Sequence, residues 1–191
     1  MNIALHDELV SMDEYDQTVR ARLSGKLDQG YNAEMAAVHD ANAARLKQII
    51  REFAWPTENL VGIDGAHAAW RIAQHSINHP AYMCECRDLL DAASRKGEVP
   101  RWHFAYIDDR IRVYQGIPQR YGTQWRGGPN GLEPYTLEDA SKVDEWRAEL
   151  GLPALAKMRA SAPPRKKWDP EAEAQREAAE LCWRKEVGWI R

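Results

Sequence analysis

Apolar positions recur at helical spacing through most of the chain. Leu5, Leu9, Met12, Val19 and Leu23 predict a first helix, with Gly25 just past its end. Met35, Val38, Leu46, Ile49, Ile50 and Phe53 supply the stripe of a second helix over about 33–53. The segment WPTENLVG breaks that pattern, because Pro56 and Gly62 punctuate a loop. Asp64 is then placed to cap a third helix carrying Ala66, Ala69, Trp70, Ala73 and Ile77, and His79-Pro80 should end it. Pro80 can open a fourth helix through Met83, Cys86, Leu89, Leu90 and Ala93, closing near Gly97.

The stretch after Pro100 fits two periods. Trp102, Phe104 and Tyr106 alternate like a strand, whereas Trp102, Ala105, Tyr106, Asp109 and Val113 fit a helix bounded by Pro100 and Gly116. The helix is preferred. PQRYGTQW and LEPYTL then flank RGGPNG, a turn signal that predicts a small β-hairpin around 117–137. TLEDASKVDEWRAELGL reads as a helix capped by Thr136 or Asp139 and stopped by Gly151. Beyond residue 160 lies a proline-rich basic connector, SAPPRKKWDP, and then a polar, alanine-rich helix bearing Leu181, Cys182 and Trp183. The expected architecture is mainly α: a single-domain helical bundle over 1–159 with one hairpin, followed by a helical arm over 160–191. The arm's narrow apolar face is a candidate surface for docking on the body or on a second copy in a homo-oligomer.

Composition narrows the function classes. The 191 residues carry a net charge of −3, and the last 27 hold seven basic and six acidic side chains, so neither the whole nor the arm offers a basic field for nucleic acid. No segment approaches the ~20 apolar residues of a membrane span, and the first residues lack the basic start and apolar run of a signal peptide. Cys84, Cys86 and Cys182 make a small odd set without zinc-site spacing, which suits buried thiols in a reducing compartment and a cytoplasmic location. Eight tryptophans against two phenylalanines make indoles the main aromatic packing. No phosphate loop or nucleophile elbow is present, so covalent catalysis and a cofactor are not expected.

What remains is a polar constellation. Gln74-His75 lies near the end of the third helix, where an imidazole can serve as acid or base and the amide can orient it. Asp109 and Arg110 point about 100° apart on a helix, so one can enter a pocket while the other anchors the hairpin. In a strand, Gln119, Tyr121 and Thr123 would share one face and Arg120, Gly122 and Gln124 the other. Glutamines present donor and acceptor at fixed separation and suit recognition of amides or peptide backbone. The expected site therefore has His75, Asp109 and Tyr121 as catalytic groups, and Gln74, Arg110, Gln119, Thr123 and Gln124 binding a small polar or peptide-like substrate for hydrolysis or group transfer. Two alternatives stand beside it: a non-catalytic ligand-binding module, and metal-dependent chemistry at His75, His79 and Asp109. Each constellation also has a plain structural reading, in which the amides satisfy loose backbone groups and the charges form an internal network.

Trp55-Pro56, Gln74-His75, Asp109-Arg110, Gln119, Tyr121-Gly122-Thr123-Gln124, Asp144, Arg147 and Gly151-Leu152, spread from Asp40 to Leu155, resemble the signature of a bacterial family of unknown function. The resemblance implies a shared fold and no activity. Members often carry acidic residues after the Gln-His pair, where this chain reads SINHP, so the resemblance does not extend to a role needing a carboxylate there. The segment past Arg159 is outside the resemblance.

Overall fold

The computed structural model describes residues 1–24, 31–129, 131–161 and 168–191. The chain divides into two compact units, Met1–His103 and Phe104–Arg191. The boundary expected from the sequence lies at 159/160. The fold is mainly α, with eight helices and one two-stranded hairpin among the described residues.

The first unit holds α1 (Ile3–Arg22), α2 (Ala33–Phe53), α3 (Glu58–His75), α4 (Pro80–Arg95) and the start of α5 (Arg101–Tyr114). Asn2 and Asn32 cap α1 and α2 with their side-chain carbonyls, accepting from Leu5 N at 3.1 Å and Glu34 N at 3.0 Å. Such caps contribute about 1 kcal/mol each. Helices α1, α2 and α3 pack on one another, and Leu9, Leu46, Ile49, Ile72, Met83 and Leu90 are fully buried. Trp70 on α3 stacks on His103 with ring centroids 4.8 Å apart and planes 10° apart, and its indole N–H donates to the His103 carbonyl at 2.9 Å.

Two expectations are corrected here. Helix α3 starts at Glu58, not at a cap on Asp64: one turn precedes Gly62, whose φ of 73° breaks the helix before it resumes. It also ends at His75, short of His79, because a turn at 76–79 intervenes before Pro80 opens α4.

In the second unit, the remainder of α5 leads to β1 (Trp125–Gly128) and β2 (Gly131–Pro134), an antiparallel pair in which Trp125 faces Pro134 and Gly128 faces Gly131. Asn130, part of the predicted turn signal, lies outside the described residues, as does most of the basic connector and Gly25. The segment 119–124 is bent loop rather than strand, so the predicted alternation of its side chains does not apply. Helix α6 spans only Val143–Glu149, since Asp139 caps an isolated turn through Ser141 N at 2.9 Å. A short α7 (Leu155–Ala160), absent from the sequence reading, follows. Helix α8 (Pro170–Glu186) docks on its own unit: Trp183 meets the Tyr114 ring edge-on at 5.3 Å, and Arg184 Nε donates to the Tyr114 carbonyl at 2.6 Å.

Candidate functional site

The sequence-derived candidates fall in both units. Gln74, His75 and His79 belong to the first; Asp109, Arg110, Gln119, Tyr121, Thr123 and Gln124 belong to the second.

In the second unit the polar residues build a loop. Asp109 is fully buried on α5. Its Oδ1 accepts from Arg120 N at 2.8 Å and Tyr121 N at 3.0 Å, and its Oδ2 accepts from Thr123 N and Thr123 Oγ1, both at 2.9 Å. Burial raises the Asp109 carboxyl above its ordinary value, and these four donors pull it back down. Gln119, equally buried, donates to the carbonyls of Gln124 and Tyr135 at 2.9 and 3.0 Å and accepts from Gln124 N at 2.9 Å. Arg110 Nε donates to Gln124 Oε1 at 3.1 Å. From the other side, buried Arg147 on α6 donates to the carbonyls of Tyr121 and Pro153, both at 2.6 Å. The loop is thus held by a carboxylate that takes its amides and a guanidinium that feeds its carbonyls. Burial pushes the Tyr121 hydroxyl up, which keeps it a proton donor. A cavity of about 380 Å³ in this unit is lined by Arg126, Tyr135, Glu177 and Arg184 among others, and none of the sequence-derived site residues lines it.

In the first unit three helices converge on one carboxylate. Asp16 of α1 is buried, with its side chain 1% exposed, and His39 of α2 and His75 of α3 flank it at 5% and 11%. His75 Nδ1 lies 2.9 Å from Asp16 Oδ2 and 3.1 Å from Oδ1. His39 Nε2 lies 3.1 Å from the same Oδ2. That approach is off the N–H axis, so His39 Nε2 has ion-pair distance but no aligned hydrogen bond among the described residues. The imidazole centroids are 4.8 Å apart. The outer atoms are tethered: Gln17 Nε2 donates to Asp16 Oδ1 at 2.9 Å, and the Tyr31 hydroxyl meets His39 Nδ1 at 2.6 Å.

Burial raises the Asp16 carboxyl, but contacts with His39 and His75 outweigh it and hold the group well below the usual carboxylate range. One helical turn earlier, Asp13 is driven the other way. Burial is the main cause, the Asp16 and Glu14 charges add to it, Arg71 at 2.7 Å opposes it, and the result is a carboxyl pushed up to about 6. His79, the other half of the His75/His79 spacing, stands off α3 and lies 3.0 Å from Asp40 at the surface.

A family model described as Family of unknown function (DUF6624) matches residues 3–160. The chain belongs to that family. The family match begins at the start of α1, well before the Asp40 at which the sequence resemblance began, and so takes in Asp16, His39 and His75 together with the Asp109 loop. It leaves out α8. Comparisons with curated proteins and with solved structures find no match. No helix among the described residues is long and apolar enough to cross a membrane.

Sequence reasoning found His75 and missed both of its partners. A signal for them existed: Asp16 and His39 occupy positions on otherwise apolar helical stripes.

Proposed function

We propose that this chain is an enzyme of hydrolysis or group transfer acting on a small polar or peptide-like substrate, with Asp16, His39 and His75 as its reaction centre. The observation that carries the reading is the convergence of two imidazoles, from α2 and α3, on a single oxygen of a buried carboxylate on α1. Burying a charge costs several kcal/mol unless partners compensate it, and apolar side chains would fill the same space at no such cost. Groups whose proton affinity is strongly displaced cluster at sites of chemistry. Asp13 and Asp16, a turn apart and driven in opposite directions, are the pattern that lets one carboxyl hold a proton near neutrality while its neighbour stays ionised.

The test is a panel of chromogenic carboxylic esters, phosphoesters and peptide anilides turned over by the purified full chain. With a substrate found, His75→Gln and Asp16→Asn should each lower kcat/KM by about 100-fold or more, with the helical circular dichroism unchanged. The surface variant Asp40→Asn should retain activity. Turnover unchanged in a folded His75→Gln protein would end the reading.

A further inference from the structure

We propose that Asp16, His39 and His75 bind one first-row divalent transition cation of the zinc or iron(II) kind. This deepens the function proposed above and rests on that reading only for the cation's catalytic role.

Among the described residues these three form a group whose ligand atoms all lie within 4.8 Å of one another. Two atoms bound to an ion at about 2.1 Å sit roughly 3.0–3.4 Å apart at octahedral or tetrahedral angles. The two nitrogen-to-oxygen distances, 2.9 and 3.1 Å, are close to that spacing, so binding requires only that the two imidazole nitrogens draw together around the ion. The decisive atom is His39 Nε2. It is buried and beside Asp16 Oδ2, yet its N–H axis misses that oxygen. The pair has ion-pair distance without an aligned hydrogen bond, and a cation shared with Oδ2 and His75 Nδ1 would use that nitrogen directly.

The outer contacts suit the same purpose. Ligating histidines usually bond their second nitrogen to a fixed partner, which sets tautomer and ring orientation. His39 Nδ1 has the Tyr31 hydroxyl at 2.6 Å. Gln17 engages Asp16 Oδ1 and leaves Oδ2, the oxygen nearest both imidazoles, for the ion. Two imidazoles with one carboxylate select nitrogen-loving transition cations over magnesium or calcium, which prefer oxygen. Three protein ligands leave a coordination position for water, whose pKa zinc lowers to about 7. Each imidazole ligates through a deprotonated nitrogen, so any proton that nitrogen carries leaves to solvent on binding.

The full chain, stripped with a chelator, is titrated with zinc(II) by calorimetry and with cobalt(II) by visible absorption. One equivalent per chain is expected, with the d–d bands of a four- or five-coordinate cobalt site. His39→Gln and Asp16→Asn should each weaken binding at least tenfold, Tyr31→Phe should weaken it by about the tenfold typical of a second ligand shell, and His79→Gln should leave it unchanged. Tyr31→Phe keeps all three ligands, so it remains informative if the ligand variants fail to fold. No stoichiometric binding by the wild-type chain, or binding unaltered in folded His39→Gln and Asp16→Asn, overturns the inference. Binding without turnover of any panel substrate supports this site and counts against the enzyme reading. Turnover by the chelator-stripped chain, free of metal by elemental analysis, removes the cation's catalytic role and spares the enzyme, while the titrations alone decide the binding site.

Discussion

Replacing Asp109 with alanine should unfold the 119–124 loop locally and cost the second unit about 4 kcal/mol. The carboxylate accepts four hydrogen bonds between 2.8 and 3.0 Å, three of them from backbone amides. A hydrogen bond to a charged group contributes roughly 1.5–3 kcal/mol, and a buried donor left without a partner costs about 1–3 kcal/mol. Four such bonds do not add in full, because the loop relaxes toward water once its anchor is gone, and single substitutions rarely exceed 4–5 kcal/mol. Asp109→Asn splits the effect. Its carbonyl can keep the Arg120 and Tyr121 amides on one side, while its NH₂ then faces the Thr123 amide, donor against donor. That variant should lose roughly half as much, about 2 kcal/mol. Urea denaturation followed by circular dichroism measures the totals, and amide hydrogen exchange of Arg120, Tyr121 and Thr123 locates the loss. A folded Asp109→Ala protein with the wild-type midpoint and undiminished protection at those three amides would refute the account of this carboxylate as the loop's anchor.

Two further outcomes follow from single positions. Gly122 sits at φ 64°, and a Cβ there would lie 2.8 Å from Leu155 Cδ1; Gly122→Ala should cost about 2–3 kcal/mol from backbone strain plus overpacking, and adding Leu155→Ala should recover the steric part in a double-mutant cycle. Burial, helped by the nearby His67 charge, drops His103 to about 3 from 6.5. The unfolded chain therefore takes up this proton first, so the stability due to neutral His103 is complete above pH 6.5 and is lost as pH falls toward 3. His103→Phe keeps the stack on Trp70 and should remove roughly 3 kcal/mol of the decline between pH 7 and pH 4, read from denaturation midpoints; an unaltered acid slope would contradict the burial argument.

Much of the architecture was legible because punctuation and periodicity agreed. Pro80 does open α4, Gly116 at φ 74° does close α5, and the stripe from Met35 to Ile49 is buried. The choice of helix over strand after Pro100 rests on the spacing of Trp102, Ala105, Tyr106, Asp109 and Val113, of which Ala105, Asp109 and Val113 are buried and the two aromatics half-buried. The misplaced start of α3 has a local cause: Gly62 does break the backbone, but one helical turn fits before it. Helix α7 left no trace in the pattern because none of its six residues is buried. The i, i+4 spacing of His75 and His79 misled for a different reason. It presumes a continuous helix, and the helix stops at the first of the two.

The candidate site was half legible, and the missing half shows what a polar residue on an apolar stripe means. Leu5, Leu9, Met12, Val19 and Leu23 step by four and three with one gap, and Asp16 fills it. On α2, His39 and Asn42 interrupt the series of Met35, Val38, Leu46 and Ile49 in the same way. Burying such groups is unfavourable without partners, so each interruption predicts a specific contact. It does not predict which kind, since Asp109 interrupts α5 just as Asp16 interrupts α1. The partners separate them. Asp109 is surrounded by backbone amides, which neither gain nor lose protons, and that environment fixes a loop. Asp16 is flanked by imidazoles, which can change protonation state or bind a cation, and that environment can run chemistry. The partners come from α2 and α3, about 20 and 60 residues along the chain, and no local spacing rule reaches that far.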